Sequence, residues 1–308
     1  MLRIATRKSA LALWQARRVQ ELLSDCELVP MQTEGDRILD RSLAEAGGKG
    51  LFVKELERAL ADGRADLAVH SAKDVPFAIP EEFVLSAFMT REDPRDALIA
   101  RSAKSFSDLP RGARVGTSSL RRAMQLRAAR PDLVIVAVRG NVQTRLSKAT
   151  SGELDAVVLA LAGLKRLGLD GQITEVLPIE LSLPAAGQGA MAIETLRGSR
   201  GHEAVQKLND PEASSCVRAE RAVLERLAGG CTVPVAAFAV LEQGGIWLRA
   251  ALGGPIGENV QMLRAEARGT EPLSLGREVA ESLLAQGGAV LLEAARLHIP
   301  GLPPPKKA

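Results

Sequence analysis

Apolar residues follow two rhythms along this chain, and the rhythms take turns. Residues 2–6 (Leu-Arg-Ile-Ala-Thr) are a short run of strand length. Ser9 then stands where a helix cap belongs, and Leu11, Trp14, Val19, Leu22 and Leu23 recur at helical spacing through about residue 24. The same reading gives a strand over 27–32, then a helix over 51–61 with Phe52, Leu56, Ala59 and Leu60 on one side. It gives a strand over 66–70, a polar turn Ser71-Ala-Lys-Asp74 and a strand over 83–88. The charged stretch 91–96, interrupted by Pro94, reads as a connector. A second series follows, with strands over 97–100, 113–116, 133–138 and 156–159 and helices over 118–130, 141–150 and 161–167.

Strands alternating with helices predict parallel sheets and α/β units. Pro184-Ala-Ala-Gly-Gln-Gly189 is a second connector, and a strand over 190–194 follows it. A return of the chain to the first unit is expected there, although periodicity does not supply it. A helix covers 211–228. From residue 235 the rhythm changes to three strand-like runs, 235–241, 246–252 and 260–268, and then to helical segments over 273–285 and 289–297. That order predicts a small α+β unit. The Pro-rich basic stretch 301–308 is expected to be disordered.

Composition narrows the function classes. A chain of 308 residues that is 46% hydrophobic can fill two or three cores. Its 40 basic and 37 acidic residues leave a net charge of only +3, too balanced for a bulk polyanion partner such as nucleic acid. Aromatics make up 3% and there is no tyrosine, so stacking platforms for single strands are scarce. Cys26, Cys216 and Cys231 match neither a disulfide framework nor a zinc pattern, which fits a reducing cytoplasm and no metal. The start of the sequence lacks a signal peptide's features, and no apolar run has membrane-spanning length. With no strand edge or apolar stripe obviously spare, a monomer is expected.

The cations sit where helix physics does not favour them. A helix N-terminus carries partial positive charge and prefers acids. Yet Arg7 and Lys8 precede the Ser9 cap, Lys49 precedes the 51–61 helix, and Arg121 and Arg122 fall in the first turn after Gly116-Thr-Ser-Ser. Arg139 and Arg145 bracket a further start capped by Asn141. An anionic ligand would turn each of these small costs, about a few tenths of a kcal/mol, into a gain. In open α/β sheets such turns share the carboxyl edge where ligands bind. No nucleotide fingerprint is present, and cations spread over many loops suit dispersed carboxylates better than one phosphate.

Three further residues carry two readings each. Cys231 follows Gly229 and Gly230, which end a helix and leave space beside the thiol. It is either an inert small hydrophobe or an attachment point. Asp74 either pairs with Lys73 or an arginine, or holds a cationic intermediate and moves protons. His70 reads first as a packed histidine and second as a catalyst. A two-lobed protein that only binds a polycarboxylate is the rival to an enzyme, but it would need neither an open thiol nor an acid among cations.

Eight stretches, in order over almost the whole chain, resemble the porphobilinogen deaminase (hydroxymethylbilane synthase) family. They are Ile4-Ala-Thr-Arg-Lys-Ser-Ala-Leu-Ala-Leu-Trp-Gln15, Gly47-Gly-Lys-Gly-Leu-Phe-Val-Lys-Glu55, Val69-His-Ser-Ala-Lys-Asp-Val-Pro76 and Arg91-Glu-Asp-Pro-Arg-Asp-Ala97, then Gly116-Thr-Ser-Ser-Leu-Arg-Arg122, Arg139-Gly-Asn-Val-Gln-Thr-Arg145, Leu183-Pro-Ala-Ala-Gly-Gln-Gly189 and Gly229-Gly-Cys231. The resemblance implies condensation of four porphobilinogen molecules on a dipyrromethane cofactor, held by a thioether to Cys231. It implies two periplasmic-binding-protein-like α/β domains with crossovers, 1–92 with 188–208 and 93–187 with 209–228, and a small α+β domain, 229–308. It assigns cofactor binding to Lys73, Asp74, Ser119, Arg121 and Arg122, and substrate binding to Arg7, Ser9, Arg139, Arg145 and Arg166. Asp74 is then the catalytic acid, and Lys49 and Phe52 belong to a covering loop. In that loop Glu45 stands where many relatives have lysine.

Overall fold

Ile4 and Ala5 are neighbours, both fully buried, yet they belong to different cores. Successive side chains of a strand point to opposite faces, so a strand buried on both sides feeds two cores at once. The computed structural model describes residues 1–37, 50–227, 233–256 and 259–297. To residue 88 the chain runs β1 (Leu2–Arg7), α1 (Ala10–Leu23), β2 (Cys26–Met31), α2 (Glu34–Arg37), α3 (Lys54–Ala61), β3 (Leu67–Ser71) and β4 (Phe83–Phe88). It continues through β5 (Asp96–Ala100), β6 (Arg114–Gly116), α4 (Leu120–Ala129), β7 (Val134–Val136), α5 (Val142–Thr150), β8 (Ala156–Ala160), α6 (Leu161–Arg166) and β9 (Glu175–Val176). Then come β10 (Met191–Leu196), α7 (Arg200–Val205), α8 (Pro211–Arg226), β11 (Val235–Glu242), β12 (Gly245–Ile256), β13 (Asn259–Gly269), α9 (Pro272–Leu283) and α10 (Ala289–Leu297).

Two five-stranded sheets share one plan, in the orders β2-β1-β3-β10-β4 and β7-β6-β8-β5-β9. The expected parallel pairing is present between β1, β2 and β3 and between β6, β7 and β8, and each sheet also contains antiparallel strands. Strand β10 runs antiparallel to β3 and β4, and β5 runs antiparallel to β8 and β9. The reason is the crossing itself. Strand β4 ends at the carboxyl edge of the first sheet, so the chain enters the second sheet from the matching edge and β5 must run backwards. The return after β9 reverses β10 in the same way. Helices α1 and α7 cover one face of the first sheet through Ala16, Val19 and Val205, and α3 covers the other through Leu56, Ala59 and Leu60. In the second sheet Ile99 and Val157 face α5 and α6, while Leu98 and Val158 face α4.

The third sheet is an antiparallel meander, β11-β12-β13. One face packs Ala237, Ala239, Leu248 and Ala250 against Ala219 and Val223 of α8 and Val279, Ala280 and Leu283 of α9. Helix α8 also reaches the first sheet, where Val217 packs with Phe88 and Ala192. The opposite face places Ala236, Phe238 and Ala251 on Leu183, in the connector that leads back to β10.

One buried carboxylate ties these pieces together. Glu220 of α8 accepts from the Gly187 N–H at 2.7 Å, the Ala239 N–H at 2.7 Å and both ends of the Arg91 guanidinium at 2.6 and 3.2 Å. Arg91 also donates from Nε to the Gln188 carbonyl at 2.9 Å. Both crossings and the third sheet therefore meet on one side chain with no solvent exposure. The crossings lie so close that a Cβ on Gly189, whose φ is +90°, would stand 2.2 Å from the Glu92 carbonyl oxygen. Glu220→Ala leaves Arg91 without its countercharge and two buried N–H groups without acceptors. We expect a loss of about 3–5 kcal/mol in denaturant unfolding; a loss under about 1 kcal/mol, the range of exposed pairs, would show that the tie is replaceable by water.

Candidate active site

The helix starts named above are real, and their caps are local. Ser9 accepts from the Ala12 N–H at 3.3 Å, Ser119 from the Arg122 N–H at 3.4 Å and Asn141 from the Thr144 N–H at 2.9 Å. Helices α1, α4 and α5 have no acid in their first turns. The expected fourth case is corrected: α3 begins at Lys54 rather than 51, and Glu55 and Glu57 occupy its first turn as helix physics prefers. Lys49 lies outside the described residues, as do Glu45, the thiol of Cys231 and the stretch 301–308. Phe52 precedes α3.

Strands β1 and β3 of the first sheet and β6 of the second lead, past their carboxyl ends, into Arg7–Ser9, Lys73–Asp74 and Ser119–Arg122. Asp74 closes a single turn of helix after β3 and lines a small pocket of about 40 Å³ with Arg7, Ser9, Phe52, His70 and Ser71. Its charge also acts on Lys73 and on Arg145 from the second unit. Asp74 thus stands between the two groups of cations.

The arginines are held by an acid that sequence reading passed over as part of a connector. Asp96, fully buried at the start of β5, pairs with Arg121 Nη2 at 2.9 Å and Arg122 Nη2 at 2.7 Å. Arg122 Nε at 3.0 Å, the Ser182 hydroxyl at 2.7 Å and Gln188 Nε2 at 2.8 Å complete its shell. Burial works to raise the Asp96 carboxyl, but the two guanidiniums overcome it and hold the group well below the usual carboxylate range. Gln188 turns its oxygen to Lys73 Nζ at 3.2 Å, so one amide links the return crossing to both lobes.

Charge compensation stops there. Burial, then the neighbouring Arg122 and Arg121, push Lys73 down to about 8, with Asp74 and Asp96 opposing. Burial, then Arg122 and Arg139, push Arg145 down to about 10. Arg121 Nε is buried with no hydrogen-bond partner among the described residues. Crowded cations and an orphaned donor are what a group bearing several carboxylates would relieve, so these residues fit such a ligand. Arg166 is placed differently: Nη2 donates to the Gly189 carbonyl at 2.6 Å, and its guanidinium lies 5.7 Å from the Trp14 ring. His70 donates or accepts at Nε2 with buried Glu194 at 3.0 Å, which matches its packed reading while leaving the ring on the pocket wall. Asp36 was also missed; it pairs with Arg7.

Two family models match this chain. One, described as porphobilinogen deaminase, dipyromethane cofactor binding domain, covers residues 2–204, and the other, porphobilinogen deaminase, C-terminal domain, covers 214–285. Solved structures similar to the chain include the B. pertussis BvgS periplasmic domain, at 18% identity and TM-score 0.38 over 71% of this chain and 42% of that one. Another is the periplasmic aliphatic sulphonate binding protein SsuA from Escherichia coli, at 17% identity and TM-score 0.39 over 73% of this chain and 69% of that one. No described helix is long and apolar enough to cross a membrane.

The Lys73 shift has a sign that can be measured. Below about 8 the folded protein carries an ammonium it disfavours, and an unfolded chain does not. Without a bound ligand, Lys73→Met should therefore be more stable than the parent by roughly 1–3 kcal/mol at pH 7. The gap should narrow as pH rises from about 8 toward 10.5, the ordinary lysine value. Denaturant unfolding at pH 7 and pH 9.5 tests this; an equal gap at both would mean that Lys73 is not titrating.

Proposed function

We infer the roles of the cleft residues from one premise: this chain belongs to the porphobilinogen deaminase family. It condenses porphobilinogen head to tail, four molecules with release of ammonia, to give hydroxymethylbilane, and is a transferase of tetrapyrrole biosynthesis. Its cofactor is dipyrromethane, which when bound supplies the primer that substrate extends.

The convergence of cations from both sheets on Lys73 and Asp74 is the observation that carries the assignment of roles. Each pyrrole brings an acetate and a propionate, so the growing product is a dispersed polycarboxylate. In our reading Lys73, Ser119, Arg121 and Arg122 hold the carboxylates of the cofactor, and Arg7, Ser9, Arg139, Arg145 and Arg166 those of the substrate. A capping hydroxyl accepts one hydrogen bond from the backbone and still has its proton to donate, so Ser9 and Ser119 can serve both ends. Asp74 faces the pyrrole nitrogens. Loss of ammonia leaves an electron-poor ring, and a fixed carboxylate beside it lowers the energy of the positive charge and can take a proton. In the same reading Phe52 and Lys49 are assigned to a covering loop, and Cys231 to the thioether that anchors the cofactor. The chain works as a cytoplasmic monomer.

Asp74→Ala should keep the fold and the bound cofactor yet lose activity by about 100-fold or more. Turnover within about threefold of the parent would remove Asp74 from the chemistry. Intact mass under denaturing conditions tests the anchor. The parent should carry added mass equal to two linked pyrrole units, and Cys231→Ser should not. The same addition on the serine variant would place the attachment elsewhere.

A further inference from the structure

Arg7 is already spoken for on one side. Its Nε donates to Asp36 Oδ2 at 3.2 Å, and its Nη2 pairs with Oδ1 of the same carboxylate. The guanidinium also lies over Phe52, 4.1 Å from the ring centre. Both partners are themselves fixed. Asp36 accepts from the Thr33 hydroxyl at 2.8 Å and the Thr33 N–H at 3.3 Å, and Thr33 is fully buried. Phe52 rests on the backbone of α2 at Gly35, where an added Cβ would stand 2.3 Å from its ring. Only a glycine lets that ring lie there. Four residues from two segments thus build a socket for one guanidinium.

A guanidinium has five N–H groups in a plane, and a carboxylate on the Nε–Nη2 edge takes two of them. Among the described residues the Nη1 side carries no hydrogen bond, and Arg7 lines the pocket shared with Asp74 and Ser9. We propose that Asp36 is a positioning residue for the known reaction, gripping one edge of Arg7 so that the other is held ready for a carboxylate of the incoming porphobilinogen. The proposal rests on the substrate-binding role given to Arg7 above. The socket holds a side chain that would otherwise lose rotamer freedom on each binding event, and that freedom is lost once, at folding. Asp36 does not compete for the Nη1 side, because its two oxygens are both engaged on the far edge.

The experiment is steady-state kinetics with porphobilinogen on cofactor-loaded enzyme, the loading of each variant being read by intact mass. Asp36→Asn should raise KM roughly tenfold, with the smaller part of the loss in kcat. Asp36→Glu, which keeps the charge but shifts the grip, should fall between it and the parent. Arg7→Gln should raise KM by at least as much, and Asp36→Asn added to it should cost nothing more, since there is no guanidinium left to orient. A KM for Asp36→Asn equal to the parent's, or an additive loss in the double variant, overturns the proposal. If Arg7→Gln itself leaves KM unchanged, the role of Arg7 falls first, and the proposal with it; if Arg7→Gln raises KM and Asp36→Asn does not, only the proposal falls. Should Asp36→Asn not hold its cofactor, the Asp36→Glu series decides alone, and a KM there equal to the parent's counts against the grip.

Discussion

A buried carboxylate makes this cleft possible. Asp96 could not lie in the interior alone, since an uncompensated ion there costs several kcal/mol, and Arg121 and Arg122 could not lie side by side without it. Each makes the others tolerable, and together they place two guanidiniums in rigid, desolvated positions. Asp96 begins β5 and its partner Gln188 lies on the way back to β10. The charge balance of the site therefore exists only when both crossings are in place. Glu220 repeats the device a short way off, with Arg91 and two backbone N–H groups as its partners. Site and architecture share the same few ion pairs.

The compensation is deliberately incomplete in one sense only, that cations outnumber the acids among them. Asp96 pairs with Arg121 and Arg122, while Lys73 is crowded by Arg122 and Arg121, Arg145 by Arg122 and Arg139, and the charge of Asp74 acts on both. A ligand with several carboxylates lowers that energy wherever it binds along the row, so the cleft favours polycarboxylates as a class rather than one fixed pose. That suits a product that lengthens in place. Asp36 on Arg7 and the Gly189 carbonyl on Arg166 fix two further cations individually.

What the sequence disclosed was what acts over short distances. Ser9, Ser119 and Asn141 each cap a helix within three residues, so they can be read from the order of residues alone. The misplaced arginines were legible because their own helix starts make them anomalous. The start of α3 was misread because Leu51 and Phe52 continue its apolar spacing while making turns of their own. Asp96, Gln188 and Glu220 were illegible for a different reason. Gln188 bonds a residue 92 positions away and Arg91 one 129 positions away, and nothing in the local pattern marks a glutamine between two glycines or an acid in a helix as a meeting point. The antiparallel strands β5 and β10 carry no local mark for the same cause, since a strand's direction depends on where the chain was before it entered.

The two sheets are alike in plan but not in how they can come into being. Every strand of the second lies between residues 96 and 176, whereas the first needs β10, at 191–196, to fill the place between β3 and β4. As the chain leaves the ribosome, the earlier half waits with a gap at its centre while the later half can close. Folding order is thereby reversed relative to synthesis, and the apolar edges of β3 and β4 stay open longest. It is during that interval, before any chemistry is possible, that the protein is most exposed to pairing with the wrong strand.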